Sequence, residues 1–237
     1  MKCLILADDR LDLLATLEPI LKHWGYRVLT ATEAEQVNVF LAGSSPAMLM
    51  IGSHFLSRIT LPQAKVPLPV LVLRHPDCPV EESGPDAALN VPIDIFELFA
   101  IIQRRVEKHP RHNLRLRLQL PGMYRTRGED YVLAEVLSLS MAGLFFRSPL
   151  KLAKGDRISA VFPLLGHSKE LEVEGTVLYV IEPAPQNNYM QGFGLGFTSL
   201  NTEQATFLER FIEESFLNEV AACQPGVGDF SATQLKR

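Results

Sequence analysis

The pattern of apolar residues changes once along this chain, near residue 110, and the change restricts the folds that its 237 residues can adopt. Before that point, short apolar segments alternate with amphipathic helical segments. After it, apolar residues recur at every second position in successive runs, and no helical segment separates the runs. We therefore expect two different architectures in succession, in a chain long enough for two domains.

The first 105 residues carry five short apolar segments that predict strands. Helical spacing of apolar residues follows the first two segments, and a closing helix is expected from Ile95 to Val106. Segments that are apolar on both faces are typical of parallel strands covered by helices. We predict an α/β fold with a doubly wound parallel five-stranded sheet, whose strands are Cys3–Ala7, Tyr26–Ala31, Ala47–Ile51, Val70–Leu73 and Ala88–Val91.

The second half begins with a strand pattern in which leucine occupies every second position from Leu114 to Leu120. A period of two is typical of a half-buried strand, and it places Arg115 and Arg117 on the outward face. Five more strand-like runs follow with turn signals between them, up to Phe193–Phe197. This spacing predicts a small closed antiparallel barrel. A final helix then begins at an Asn-Thr pair, residues 201–202, either of which can cap it.

These patterns divide the chain into residues 1–105, a linker at 106–113, a barrel with its C-terminal helix at 114–222, and a flexible tail at 223–237. No apolar run reaches the roughly 18 residues of a membrane-spanning helix. The N-terminal segment MKCLILADD has no features of a signal peptide, and the three cysteines form no C-x-x-C pair. We expect a cytoplasmic protein without a membrane span.

Charge is distributed unevenly along the chain. Residues 1–103 carry a formal charge of −5, residues 104–127 carry +7, and residues 128–237 carry −6. Arginine supplies nearly all of the positive charge, and its planar guanidinium can hold an anion through two parallel hydrogen bonds. A basic segment between two acidic parts predicts an anion site at the junction. The alternative is a linker that carries charge only for solubility.

Four segments of the first half, LILADD, PAMLMIG, PVLVLR and NVPID, resemble the receiver domain of bacterial response regulators. Asp8 and Asp9 correspond to the acid pair that holds Mg²⁺ in such domains. Three other family positions differ. Gly52 replaces the phosphoacceptor aspartate, Arg74 replaces the hydroxyl residue after the fourth strand, and Val91 replaces the lysine of the last loop.

These replacements remove the chemistry that the receiver resemblance would otherwise imply. Phosphoryl transfer to a carboxylate needs a nucleophilic oxygen, a metal held by several carboxylates, and a cation near the transferred group. Asp8 and Asp9 alone are a poor Mg²⁺ site, and Arg74 could pair with them in place of the metal. We expect a pseudo-receiver domain without phosphoacceptor, metal or catalytic activity, used for packing or for recognition of a partner.

The second half, from about residue 109 to residue 216, resembles a PilZ domain, the bacterial module that binds cyclic di-GMP. The family's first motif, R-x-x-x-R, is present as RHNLR from Arg111 to Arg115. Its second motif, [D/N]-x-S-x-x-G, is present as SLSMAG from Ser138 to Gly143, with serine at the first position. The segment QGFGLGFTSL, followed by a helix, is similar to the family's last strand and C-terminal extension.

The PilZ resemblance implies that Arg111, Arg115, Ser138, Ser140 and Gly143 bind cyclic di-GMP. This ligand presents two phosphates and two guanines, and a guanidinium can fork onto phosphate oxygens or onto the guanine edge. Gly143 would allow a turn or a close approach of the backbone. Ser138 is shorter than the aspartate or asparagine of the motif, so binding is expected to be weaker. No cofactor other than this ligand is expected.

The leading hypothesis is a non-catalytic cyclic di-GMP effector in bacterial signal transduction. Ligand binding at the arginine motif would re-orient the pseudo-receiver and the barrel, and the resemblance implies an output in motility, surface attachment (biofilm) or polysaccharide production. Arg104 and Arg105 would add contacts if two stacked ligand molecules bind. Besides the ligand, we expect a protein partner on the pseudo-receiver or barrel surface, and a homodimer is also allowed.

Two other functions compete with this hypothesis. A protein-interaction adaptor whose two domains have lost their ligands is favoured by the replacements at Gly52, Arg74, Val91 and Ser138. A nucleic-acid polymer could bind the basic segment, but the acidic flanking parts and the absence of interleaved aromatic residues argue against it. Binding to a polymer would fall steeply with salt, which distinguishes it from binding of a dinucleotide.

Overall fold

The computed structural model describes residues 1–62, 66–74, 87–164, 170–223 and 234–235. The chain forms two compact units. The first consists of Met1–His112 together with Leu217–Arg237, and the second consists of Asn113–Phe216. Within the described ranges, no helix combines the length and apolar composition needed to cross a membrane.

The first unit contains a parallel five-stranded sheet, as predicted, and each strand lies within one residue of its predicted bounds. Its elements in chain order are β1 (Cys3–Ala7), α1 (Leu11–His23), β2 (Arg27–Ala31), α2 (Ala34–Gly43), β3 (Met48–Gly52), β4 (Val70–Arg74), β5 (Ala87–Asn90) and α3 (Ile95–Val106). The strand order across the sheet is β2-β1-β3-β4-β5, and every pairing is parallel. A short 3-10 turn at Ser53–Arg58 follows β3.

Burial explains why these segments form a sheet of this kind. All five residues of β3 are buried, as are the first four residues of β4. Leu49 and Ile51 of β3 pack in one cluster with Val37 and Leu41 of α2. Full burial of such a side chain contributes about 1.5–3 kcal/mol. A strand that is apolar on both faces gains this on each face, and only a covered sheet provides that environment.

The second unit is a closed antiparallel barrel, and this prediction is also confirmed. Its six strands are β6 (Arg115–Thr126), β7 (Val132–Ser140), β8 (Gly143–Arg147), β9 (Arg157–Pro163), β10 (Glu170–Ile181) and β11 (Gly192–Ser199). They follow one another around the barrel in the order β10-β11-β8-β7-β6-β9, and β9 pairs with β10 to close it. Closure leaves no free strand edge that could pair with another chain.

Aromatic residues fill the barrel interior. The rings of Tyr124, Phe146 and Phe193 pack together with centroids 5.0–5.6 Å apart. The buried Tyr124 hydroxyl lies 2.6 Å from Ser148 Oγ, so the polar end of this ring has a hydrogen-bond partner inside the apolar core. Burial raises the pKa of Tyr124 above its ordinary value. Packed aromatic rings therefore fill the barrel core, and Tyr124 is neutral within it.

The final helix, α4 (Thr202–Ala222), follows β11. Asn201 caps it, because Asn201 Oδ1 accepts from Gln204 N at 2.8 Å while Gln204 Oε1 accepts from Asn201 N at 2.9 Å. This reciprocal pair is a capping box. The division between the two units falls within α4, between Phe216 and Leu217.

Most of the predicted tail, residues 224–233 and 236–237, lies outside the described residues. Two tail residues are described. Gln234 O accepts a hydrogen bond from Ile93 N at 2.8 Å, and Leu235 forms a parallel bridge with Ile93. Leu235 is buried. This part of the tail therefore pairs with the segment that precedes α3.

Candidate functional site

The acid pair of the first unit lies where β1 ends, and its first member is fully enclosed. Asp8 has no exposed surface. Arg10 holds it through two parallel hydrogen bonds, with Nε 2.7 Å from Oδ1 and Nη2 2.8 Å from Oδ2. These hydrogen bonds raise the pKa of the Arg10 guanidinium above its ordinary value. A guanidinium therefore occupies the carboxylate oxygens that a cation would need.

The cation that pairs with the acids is not the one expected from the sequence. Arg74 was the candidate, but its Nη1 donates to Asn90 Oδ1 at 3.4 Å on the neighbouring strand. Arg10 follows the acids directly in sequence, so a short turn is enough to bring its fork onto Asp8. A partner within two residues is less costly to order than one on another strand, which explains why Arg10 and not Arg74 pairs with Asp8.

Gly52, where the receiver resemblance would place a phosphoacceptor, lies in crowded surroundings. A Cβ atom added at Gly52 would lie 2.7 Å from Asp8 Oδ2 and 2.7 Å from His54 Cε1. The His54 ring in turn places Nε2 3.2 Å from Asp9 Oδ1. Within the described part of the chain, no three His, Cys, Asp or Glu side chains come together as a metal-binding group. Described side chains of the first unit therefore fill the space around Asp8, Asp9 and Gly52, which we call the acid corner.

The barrel, by contrast, contains an open concave pocket of about 300 Å³. Its polar lining includes Asn113, Arg115, Ser138 and Ser140, and its apolar lining includes Phe145, Leu178, Tyr179, Ile181 and Met190. All of these residues belong to the barrel unit. A pocket with a mainly apolar wall and a few convergent polar groups is the usual form of a small-molecule site.

Strand register brings the predicted motif residues to this pocket. Ser140 at the end of β7 pairs with Arg115 at the start of β6 on one side, and with Gly143 at the start of β8 on the other. Ser138 pairs with Phe145 and lies beside a register shift in the β7–β8 ladder. Arg115, Ser138, Ser140 and Gly143 thus line one pocket, although they are up to 28 positions apart in sequence.

Ser140 and Gly143 form the tight connection between β7 and β8. Ser140 is buried, and its Oγ donates to the carbonyl oxygen of Gly143 at 3.0 Å. The hydroxyl proton is thereby used inside the protein, and the oxygen keeps lone pairs that can accept from a ligand. A Cβ atom at Gly143 would lie 2.1 Å from the carbonyl oxygen of Leu195. Glycine is required here because the backbone of β11 passes so close.

Arg115 supplies the positive charge of the pocket. Its side chain is exposed. Within the described residues no carboxylate forms an ion pair with Arg115 or with Arg117, its exposed neighbour on β6. Arg117 does not belong to the pocket lining. The guanidinium of Arg115 therefore keeps its hydrogen-bonding capacity for an anion.

The other predicted arginines belong to the first unit. Arg104 and Arg105 lie in the last turn of α3 and are exposed. Arg111 follows, also exposed, and its backbone N donates to Gln103 Oε1 at 3.0 Å. None of the three is among the residues that line the barrel pocket.

A polar network holds the end of α3 just before Arg111. Glu107 accepts from Lys2 Nζ at 2.8 Å and from the Tyr26 hydroxyl at 2.9 Å. The hydrogen bond from Lys2 lowers the pKa of Glu107, and that from Tyr26 adds to the effect. Burial, together with Glu107, raises the pKa of Tyr26 far above its ordinary value. The segment that leads into the arginine motif is thus held to the first unit.

Sequence analysis did not identify the apolar wall of the pocket. Tyr179 on β10 pairs with Gly194 on β11, and the neighbouring Leu178 lies against Gly196. The alternating glycines of GFGLG indicated only the last strand. Their period of two could also have predicted this wall, since a strand with glycine at every second position leaves one face free for large side chains of neighbouring strands.

One family model matches the chain. It is the PilZ domain, and it covers residues 103–214. No curated protein matches the sequence.

Several solved structures resemble part of this chain. One is the inhibitor of motility MotI/DgrA of Bacillus subtilis, at 14% identity over 46% of this chain and 52% of that one, with a TM-score of 0.41. Another is the PilZ domain of YcgR from Escherichia coli with c-di-GMP, at 14% identity over 49% of this chain and 98% of that one, with a TM-score of 0.39. The K. pneumonia MrkH–c-di-GMP complex matches at 17% identity over 48% and 53%, also with a TM-score of 0.39.

The match to MotI/DgrA spans only about half of that protein's length. The family model covers the whole barrel and the arginine motif that precedes it. The second half of the chain carries a PilZ domain.

Proposed function

We propose that this chain is a non-catalytic effector that binds cyclic di-GMP through its PilZ domain. The observation that carries the proposal is the placement of Arg115, Ser138, Ser140 and Gly143 around one pocket of the domain. These are four of the five residues that the family motifs associate with this ligand. The chemistry of the pocket supports the same conclusion.

Arg115 suits a cyclic dinucleotide because it is exposed and has no carboxylate partner in the described residues. Its planar fork can hold a phosphate or the O6/N7 edge of guanine through two hydrogen bonds. Arg111, four positions earlier, would supply the second guanidinium. Because Arg111 is exposed and its backbone is held by Gln103, only its side chain has to be ordered by the ligand.

Ser138 sets the expected affinity. An aspartate or asparagine at this position could accept from the N1–H and N2–H₂ edge of guanine, whereas serine offers a single shorter hydroxyl. The loss of one such contact costs about 1–3 kcal/mol, which is roughly a fivefold to hundredfold loss of affinity. We therefore expect micromolar rather than nanomolar binding.

The first unit would act as a pseudo-receiver. Its parallel sheet suits the receiver resemblance, and the Arg10 fork on the buried Asp8 leaves no carboxylate oxygen of that residue for a cation. We propose that the signal enters through the dinucleotide and not through phosphorylation. Ligand binding at the arginine motif, Arg111 to Arg115, would order the arginine side chains and re-orient the two units in a bacterial cytoplasmic signalling pathway. A protein partner would read the new arrangement.

Calorimetric titration of cyclic di-GMP into the full chain tests this proposal. We expect the wild type to bind with micromolar affinity. The Arg115→Ala substitution should lower the affinity about 10- to 100-fold, since a hydrogen bond to a charged group contributes about 1.5–3 kcal/mol. Arg111→Ala should have a similar effect. Arg117→Ala is the matched control, because it removes the same charge from the same strand outside the pocket and should change affinity less than threefold.

The competing function is a protein-interaction adaptor without a ligand. The observation that favours it is the combination of Ser138 in the pocket with a first unit whose acid corner is filled by Arg10. Absence of heat and of a thermal shift at several hundred micromolar cyclic di-GMP would establish the adaptor as the better description. An equal loss in the Arg115 and Arg117 variants would indicate non-specific attraction to positive charge.

A further inference from the structure

The pocket contains one aromatic ring that packing holds in place while much of it faces solvent. Tyr179 on β10 is 44% exposed and lines the pocket together with Arg115. Its register partner is Gly194. A Cβ atom at Gly194 would lie 2.3 Å from Tyr179 Cε1, so the ring lies directly over the glycine backbone. The position of the ring depends on the absence of a side chain beneath it.

A second aromatic residue supports the same ring. Phe145 on β8 is 8% exposed, and its ring is nearly parallel to that of Tyr179, with an interplanar angle of 20° and centroids 6.3 Å apart. The Tyr179 hydroxyl has no hydrogen-bond partner among the described residues. Hydrogen bonding therefore does not account for a tyrosine at this place. Its distinguishing feature is a flat apolar surface in the same pocket as the cation Arg115.

We propose that Tyr179 is the stacking surface for one guanine of the bound dinucleotide, an inference that rests on the proposed function. A purine presents a π-face that stacks on an aromatic ring, and each such contact contributes substantially to nucleic-acid binding. Arg115 lies in the same pocket and can take the phosphate or the guanine edge while Tyr179 takes the face of the base. Phe145 and Gly194 hold the ring in position before the ligand arrives, so little ordering is required on binding.

The neighbouring residues suit the same use. Leu178 is 52% exposed and packs over Gly196, where an added Cβ atom would lie 2.9 Å from its Cδ1. Met190 and Ile181 complete the apolar side of the pocket. Apolar residues this exposed gain free energy when a base covers them. The polar residues Ser138 and Ser140 line the same pocket from β7 and can form hydrogen bonds with the edge of the base.

The test compares three substitutions of the full chain by calorimetry with cyclic di-GMP. Tyr179→Leu removes the aromatic face and keeps an apolar side chain, and we expect affinity to fall about 5- to 100-fold. Tyr179→Phe removes only the hydroxyl and should bind within about twofold of the wild type. Tyr131→Leu is the control, because Tyr131 is another exposed tyrosine of the barrel that packs under Arg125 outside the pocket.

A spectroscopic measurement separates stacking from a structural effect. The ring current of a stacked tyrosine should shift the guanine H8 resonance of the bound ligand upfield in the wild type and in Tyr179→Phe. The shift should be reduced in Tyr179→Leu at saturating ligand, while circular dichroism checks that the variant is folded. Tyr179→Trp is a second variant that keeps an aromatic ring at this position, and its larger ring should maintain or increase the affinity for the ligand.

The outcomes distinguish this inference from the proposed function. If the wild type binds and Tyr179→Leu binds equally well with an unchanged H8 shift, stacking is wrong and the proposed function stands. If Tyr179→Phe loses as much affinity as Tyr179→Leu, the hydroxyl and not the ring contacts the ligand. If the wild type does not bind, both the proposed function and this inference fail.

Discussion

Asp8 in the first unit and Arg115 in the second are charged residues that the two domain resemblances associate with an ionic ligand, but their surroundings differ. Asp8 has no exposed surface, and both of its oxygens accept from Arg10. Arg115 is exposed beside an open pocket, and no described carboxylate pairs with it. A charged residue therefore forms an internal ion pair in the first unit, whereas the charged residue of the second unit remains available to a ligand.

The difference between Asp8 and Arg115 follows from how each charge is solvated. A buried carboxylate needs a partner, since an unpaired buried charge is costly. In the first unit the guanidinium of Arg10 is that partner. In the barrel Arg115 needs no internal partner, because it is exposed at an open pocket, where water can solvate it in the absence of a ligand.

The largest effect is expected from breaking the internal pair of the first unit. Arg10→Ala leaves the Asp8 carboxylate buried without a partner, which should lower the free energy of unfolding by about 3 kcal/mol. Urea denaturation of the full chain measures this. Lys22→Ala is the control, since its pair with Glu18 is exposed and should contribute less than about 0.5 kcal/mol.

Affinity for cyclic di-GMP should be unchanged in Arg10→Ala, because Arg10 belongs to the first unit and does not line the pocket. A loss of less than about 1 kcal/mol of stability would contradict the view that Asp8 depends on this pair. A gain of stability on adding Mg²⁺ to the wild type would also contradict it, since it would mean that the acid corner still binds a cation.

An intermediate effect is expected from restoring the family residue in the barrel. Ser138→Asn returns the amide that can accept from the guanine edge, and we expect affinity to rise about tenfold, equivalent to one hydrogen bond of about 1.4 kcal/mol. Calorimetry with cyclic di-GMP measures the gain, and Ser138→Ala serves as the comparison without any polar group. Equal affinity of the asparagine and alanine variants would show that position 138 does not contact the base.

The smallest effect concerns the network that precedes Arg111. Glu107→Gln should lower the free energy of unfolding at pH 7 by up to about 1 kcal/mol, because it weakens the contacts with Lys2 and Tyr26. The pKa of Glu107 is lower in the folded state than its ordinary value of 4.5. Its contribution is therefore fully present above that value and is lost as pH falls through the folded-state pKa.

Urea denaturation of wild type and Glu107→Gln at pH 7 and at pH 3.5 tests this dependence, and the difference between the two proteins should shrink at the lower pH. The control is Glu35→Gln, whose pair with Arg58 is exposed and should show almost no difference at either pH. A difference that stays constant from pH 7 to pH 3.5 would indicate that Glu107 acts through packing and not through its charge.

Much of the fold could be predicted from the pattern of apolar residues. A segment such as MLMIG, apolar at every position, can be stable only when both faces are covered, and β3 is buried along its whole length. The alternation from Leu114 to Leu120 requires a strand with one solvent-exposed face and one buried face, which a barrel strand provides. These predictions of strands and of their buried faces hold because they depend on which side chains avoid water, and this is determined by the sequence of each segment by itself.

The site could be predicted only in part. The resemblance of RHNLR and SLSMAG to two PilZ motifs implied a set of ligand-binding residues, and Arg115, Ser138 and Ser140 of that set line one pocket because strand pairing brings Ser140 opposite Arg115. Arg74 was the arginine expected to be able to pair with Asp8, but Arg10, only two positions away, takes this place. The aromatic wall of the pocket was not predicted at all, because it depends on distances between strands, about which local spacing carries no information.

The sequence alone therefore determined the two architectures, the order in which they occur, and the residues with the chemistry to hold an anion. Tertiary structure decided which of those residues remain available. It placed a guanidinium on both oxygens of Asp8, and it positioned Tyr179 over Gly194 in the same pocket as Arg115. The physical reason is that burial follows from the periodicity of one segment, whereas pairing and exposure at a site depend on contacts made by several segments at once.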